Sequence, residues 1–149
     1  MLILIFVAVF GSMVVEARRA AVNERAQRAR GGLEPPGDVY GLMQIAYPVS
    51  FLAMMAEVDR VSKLAGTGDE TNIAVMAPEY WPLPWYLSKY SHVGYFGKVA
   101  NAGEPIVIST DSQDAEFSTM FSGKYRKVGS YKLRPGVTLS LWVKKELPY

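Results

Sequence analysis

Cysteine is absent from the 149 residues, which removes disulfides, a thiolate nucleophile and any thiolate metal site, and leaves no redox compartment to be read from thiols. Histidine occurs once. His92 cannot hold a metal without carboxylates at matching spacing, so it reads as a structural or solvent-facing residue. An excess of one charge is also lacking: 16 Lys and Arg stand against 14 Asp and Glu, and a net charge of +2 does not point to nucleic acid. No glycine-rich phosphate loop follows any strand candidate, so nothing implies a nucleotide or another cofactor. Neither a catalytic carboxylate pair nor a nucleophile with its base is complete in the chain.

What is present is segregated. Apolar residues crowd the first sixty positions while charges spread through the rest, and the length suits a short membrane unit plus one small domain. Met1 to Val15 is apolar apart from Gly11 and Ser12 and runs into Glu16, Arg18 and Arg19. A bilayer core asks for about 20 apolar residues, so a span here needs tilt, local thinning or snorkelling arginines. A cleaved signal peptide would carry its charge before the apolar run, not after it. Glu16 to Arg30 is rich in helix formers, and Gly31 and Gly32 supply a stop, which predicts one continuous helix.

Tyr40 to Val58 is a second apolar stretch, uncharged until Glu57 and interrupted by Pro48, which a membrane helix tolerates. It is expected to be the second span of a helical hairpin, the rival being a core helix of a soluble bundle. Five arginines between the stretches, Arg18, Arg19, Arg25, Arg28 and Arg30, outnumber Arg60 and Lys63 beyond the second, which places the loop in the cytoplasm and the remainder outside it.

The composition changes at Val61. Residues 61–71 read as a linker and 72–149 as an extracytoplasmic domain. Strands are expected at Asn72–Ala77, Val93–Phe96, Pro105–Thr110, Arg126–Lys132 and Val137–Lys144, with a short helix from Pro84 towards Tyr90 and another from Ala115 to Phe121. The fold class is therefore α/β: an N-terminal membrane helical hairpin, then a small mixed sheet with packed helices, a truncated Rossmann-like layer.

Three groups of residues are candidates for binding. Trp81, Trp85 and Tyr86 lie in an aromatic run whose rings suit core packing, the membrane interface or stacking on sugar. Asp111 and Asp114 follow a strand at the end where α/β sheets bind ligands, although helix capping explains them equally. Arg126 and Arg134 belong to a basic stretch with Lys124, Lys127 and Lys132, where alternation puts several cations on one solvated face suited to a lipid headgroup or pyrophosphate.

Two resemblances follow. VVEARRAAVNERAQRARGGLEPPGDVYGLMQIAYPVSFLAMMAE resembles the N-terminal membrane region of bacterial isoprenylcysteine carboxyl methyltransferase family proteins, over about the first 58 residues. It implies a membrane hairpin and carries over no methyl-transfer residue. NIAVMAPEYWPLPWYLSKYSHVGYFG, EPIVIST and YKLRPGVTLSLWVKKEL resemble the C-terminal extracytoplasmic domain of flippase-activity-associated, dolichyl-phosphate mannosyltransferase-like membrane glycosyltransferases, over about residues 70–147. That second resemblance implies membrane lipid as a partner and a glycan or polyprenyl-phosphate headgroup as ligand. The catalytic loop of such enzymes has no counterpart here, so the expectation is an accessory domain; the alternatives are a truncated methyltransferase-like protein or a structural membrane tether. The resemblances meet near Asp59 to Lys63, the pattern of a fusion or of a misassembled reading frame, with the latter expected.

Overall fold

The computed structural model describes residues 2–32, 40–101, 103–121 and 123–147, which fall into two compact units, 1–39 and 40–149. In the first unit, α1 (Leu2–Ala29) is one helix, as the run of helix formers predicts. Gly31 ends it at φ +90°: its N–H donates to the Arg28 carbonyl and that of Gly32 to the Gln27 carbonyl. Paired bonds of this kind satisfy carbonyls that a helix end otherwise leaves open, and the left-handed residue between them favours glycine. On the exposed surface of α1, Glu24 and Arg28 pair at 2.6 Å.

The second unit is a five-stranded mixed sheet with helices on both faces, in the order β2-β1-β3-β5-β4. The strands are β1 (Ile73–Val75), β2 (Val93–Tyr95), β3 (Ile106–Thr110), β4 (Tyr125–Arg134) and β5 (Val137–Lys144). β1 is parallel to both β2 and β3, and β5 is antiparallel to both β3 and β4. β1 and β3 are buried at every residue, which is why their sequences, IAV and IVIST, do not alternate.

One face of the sheet is covered by α2 (Tyr40–Leu64) and by the single turn α3 (Leu83–Tyr86). Phe51, Met54, Val58 and Val61 of α2 join Leu83, Leu87, Ile73, Ile106, Ile108, Leu139 and Leu141 in the larger core cluster. Each such burial is worth roughly 1.5–3 kcal/mol over leaving the side chain exposed. The other face is covered by α4 (Asp114–Met120), whose Phe117 stacks at 4.6 Å from the rings of Phe121 and Trp142.

The expected pair of membrane spans finds no support among the described helices, none of which is long and apolar enough to cross a membrane. From Phe51 onward α2 lays Phe51, Met54, Val58 and Val61 on the sheet, and the composition change at Val61 falls inside this helix. α2 also runs unbroken through Asp59 to Lys63, where the two resemblances meet. Met54, Val58 and Val61 share one core cluster with the strands, so the packing shows no seam there.

Candidate functional site

α3 and its flanks display the aromatic run. Trp81 precedes a cis peptide bond to Pro82, and Pro84 sits in the first turn of α3, where its missing N–H costs nothing. Leu83 and Leu87 point inward and are buried, so the turn is anchored by its leucines while Trp85 and Tyr86 are left outside. Trp81 is 59% exposed and Trp85 72%, which separates them from the core-packing alternative. Tyr86 is half-exposed and meets Phe51 of α2 edge-on, with 4.7 Å between ring centroids.

Trp81, Pro82 and Tyr86 form one wall of a shallow groove of 320 Å³ whose other walls are Tyr47, Pro48 and Phe51 of α2 and Leu133 and Arg134 of β4. The structure thus brings two of the three aromatic candidates, Trp81 and Tyr86, together with Arg134, while Trp85 stands exposed beside Pro82 and Tyr86. Around Tyr86 the surface continues into a second hollow, of 260 Å³, lined by Leu52, Met55, Ala56, Asp59, Lys89 and Tyr90. Asp59 is not among the binding candidates read from the sequence, where it marks only the meeting of the two resemblances. Its Oδ1 accepts a hydrogen bond from the Tyr90 hydroxyl at 2.5 Å and one from the Lys89 ammonium. These two donors, Lys89 first, hold the Asp59 carboxyl below the usual carboxylate range. Burial, and then the bond to Asp59, pushes the Tyr90 phenol up. A lysine and a tyrosine thirty residues beyond a helical aspartate give no periodic signal, so only the fold joins them.

The remaining candidates lie elsewhere. Asp111 sits past the C-terminal end of β3, exposed, and accepts the Ser112 N–H at 2.9 Å. The expected capping by Asp111, Ser112 or Asp114 is taken over by Thr110 and Gln113: the Thr110 N–H donates to Gln113 Oε1 at 3.0 Å, and Gln113 Nε2 donates to the Met76 carbonyl at 3.0 Å, tying the ends of β3 and β1. Asp114 Oδ2 accepts from Lys127, whose ammonium also lies 5.8 Å from the centroid of the Trp142 ring. Arg126 donates to the Leu147 carbonyl at 3.0 Å.

The expected single basic face of β4 is therefore divided. A register shift at Val128 turns the strand so that Lys127 serves the α4 face, while Tyr131, of the same parity, packs with the α2 face. A second irregularity precedes Arg134, which ends beside Trp81.

Among the described residues no group of three or more His, Asp or Glu is placed to hold a metal ion. His92 Nδ1 stands 3.5 Å from Glu70, both well exposed. The arrangement around α3 offers π-faces and, at Arg134, a guanidinium, groups that can hold a ligand. No family model matches the chain, and no curated protein and no solved structure matches it either.

Proposed function

We propose that the chain is a membrane-anchored, non-catalytic accessory module of a lipid-linked-sugar glycosyltransferase-like protein, with the sheet unit as a truncated Rossmann-like layer outside the cytoplasm. In this reading the groove at Trp81, Tyr86 and Arg134 receives a glycan or a polyprenyl-phosphate headgroup. The observation that carries it is the exposure of Trp81 beside Arg134, since an indole face stacks on a sugar ring and a guanidinium pairs with phosphate oxygens. The sequence resemblance over residues 70–147 and the apolar run Met1–Val15 support the same assignment. Asp111, Asp114 and Arg126 take no part in it, because they lie away from this groove.

The test is a titration of tryptophan emission with a water-soluble short-chain polyprenyl phosphate and, separately, with its sugar-charged form. Saturable quenching, lost in Trp81→Ala and weakened in Arg134→Ala, is the expected result. Emission that stays flat with both ligands overturns the headgroup and glycan reading.

A further inference from the structure

The apolar side of α2 changes along its length, outward up to Leu52 and inward against the sheet from Phe51 on. At 100° per residue, Phe51, Met54, Val58 and Val61 fall on the side buried against the sheet. Leu42, Ile45, Val49 and Leu52 fall on the opposite side, and each is 53–67% exposed. A surface helix of a water-soluble domain puts polar residues there. The outward side becomes polar only further along, at Asp59, Arg60 and Lys63, so apolar character fades to charge along one helix.

This outward stripe adjoins the aromatic groove. Leu52 of the stripe lines the second hollow, which meets the groove at Tyr86. Trp85 lies exposed on α3 next to Tyr86, and the cations Lys132 and Arg134 stand at the end of β4. The Lys132 N–H donates to Ser50 Oγ at 2.8 Å, which fixes that strand end against the apolar half of α2. Aliphatic residues, two exposed tryptophans, a tyrosine and a rim of cations are the chemistry of a surface that rests in the headgroup region of a bilayer. Indole rings favour that boundary, and Lys or Arg near an anionic leaflet adds about 1 kcal/mol each.

We propose that the outward stripe of α2 together with Trp81, Trp85 and Tyr86 is a docking surface for an anionic lipid bilayer, on which the sheet unit lies with Lys132 and Arg134 against the headgroups. The proposal rests on the membrane-associated reading above and adds to it a face and a partner: the unit itself touches lipid, whatever the N-terminal run does. Charge complementarity points to lipid: Arg134 stands beside Trp81 and Lys132 lies near it along β4, cations that match anionic headgroups.

The three tryptophans make the test internal. Trp142 is buried, with its Nε1 donating to Ser109 Oγ at 2.9 Å, so it reports on the core, while Trp81 and Trp85 report on the surface. The full chain is mixed with vesicles of phosphatidylcholine and phosphatidylglycerol, free of polyprenyl phosphate and sugar, with brominated acyl chains as the quencher. The wild-type chain is expected to shift its emission to the blue and lose intensity to bromine. Trp81→Phe/Trp85→Phe, which keeps only Trp142, is expected to do neither. Ile45→Glu/Val49→Glu should abolish the shift, and Lys132→Glu/Arg134→Glu should weaken it with phosphatidylglycerol but not with phosphatidylcholine alone.

Vesicle-bound chain whose Trp81 and Trp85 emission is neither shifted nor quenched overturns the proposal, as does failure to bind vesicles. Emission already blue without vesicles, and concentration-dependent, also overturns it by showing protein on this face. Because these vesicles hold no glycan or polyprenyl phosphate, a failed headgroup titration leaves this outcome intact, and the reverse also holds.

Discussion

At Asp59 a single carboxylate oxygen serves both Lys89 and Tyr90, joining α2 to the segment after α3. Since its folded pKa is depressed, the stability it contributes is present above the usual carboxylate range near ~4 and is lost as pH falls through the folded value. Asp59→Asn is expected to cost about 1 kcal/mol at neutral pH, the scale of a partly exposed charge-assisted bond, and to flatten the acid limb of stability. Urea denaturation at neutral and acid pH checks both. Tyr125 makes the opposite case. Burial, helped by Glu104 and Glu146, pushes its phenol up to about 12, with the hydroxyl donating to the Glu104 carbonyl at 2.9 Å. A raised value means stability that holds below the ordinary tyrosine range and is lost as pH rises towards the folded value. Ultraviolet titration should show Tyr125 among the phenols that ionise late, and Tyr125→Phe should remove its share of that late absorbance. At this scale the sequence told least. It named Trp81, Trp85 and Tyr86, but burial is a property of the partner surface: a tryptophan four residues from another suits a core as well as a groove until Leu83 between them and Leu87 beyond are seen to point inward. Trp85→Ala is accordingly expected to leave stability within about 0.5 kcal/mol, read by thermal unfolding, whereas Phe117→Ala should cost about 3–5 kcal/mol.

Elements were easier to read than side chains. IVIST and VTLSLWV are β-branched and apolar, bounded by turn residues, and they become β3 and β5 within a residue of the expected limits. The stop at Gly31 was legible too, because only a residue at ease with positive φ closes a helix that way. α2 was not legible. Its apolar residues face outward up to Leu52 and inward from Phe51 on, which in sequence reads as one apolar run, and hydropathy alone cannot tell burial under a sheet from burial in lipid. The turn after β3 shows a related limit: Asp111, Ser112 and Asp114 are all good capping residues, yet the long-range bond from Gln113 to Met76 decides which geometry forms. The buried side of α2 is where its energetic weight lies. Met54→Ala should therefore destabilise by about 2–5 kcal/mol in chemical denaturation, far more than Leu42→Ala on the outward side.

For the molecule as a whole, the compact unit takes in α2 and begins at residue 40. A chain starting at Tyr40 is expected to unfold cooperatively. One starting at Asn72, where composition alone would cut, loses Phe51, Met54, Val58 and Val61 and should show no cooperative transition by circular dichroism. The sheet order has another consequence, for the moment of synthesis. β5 comes last among the described strands, yet it lies between β3 and β4 and is buried along most of its length. While the chain is being made, β3 keeps one edge open and β4 has no partner at all, so the half-made sheet resembles an unpaired template more than a folding intermediate. Folding of this unit must wait for its closing strand. A free chain truncated before Val137 should be sensitive to protease from β3 onward, and one extended through β5 to Lys144 should be resistant.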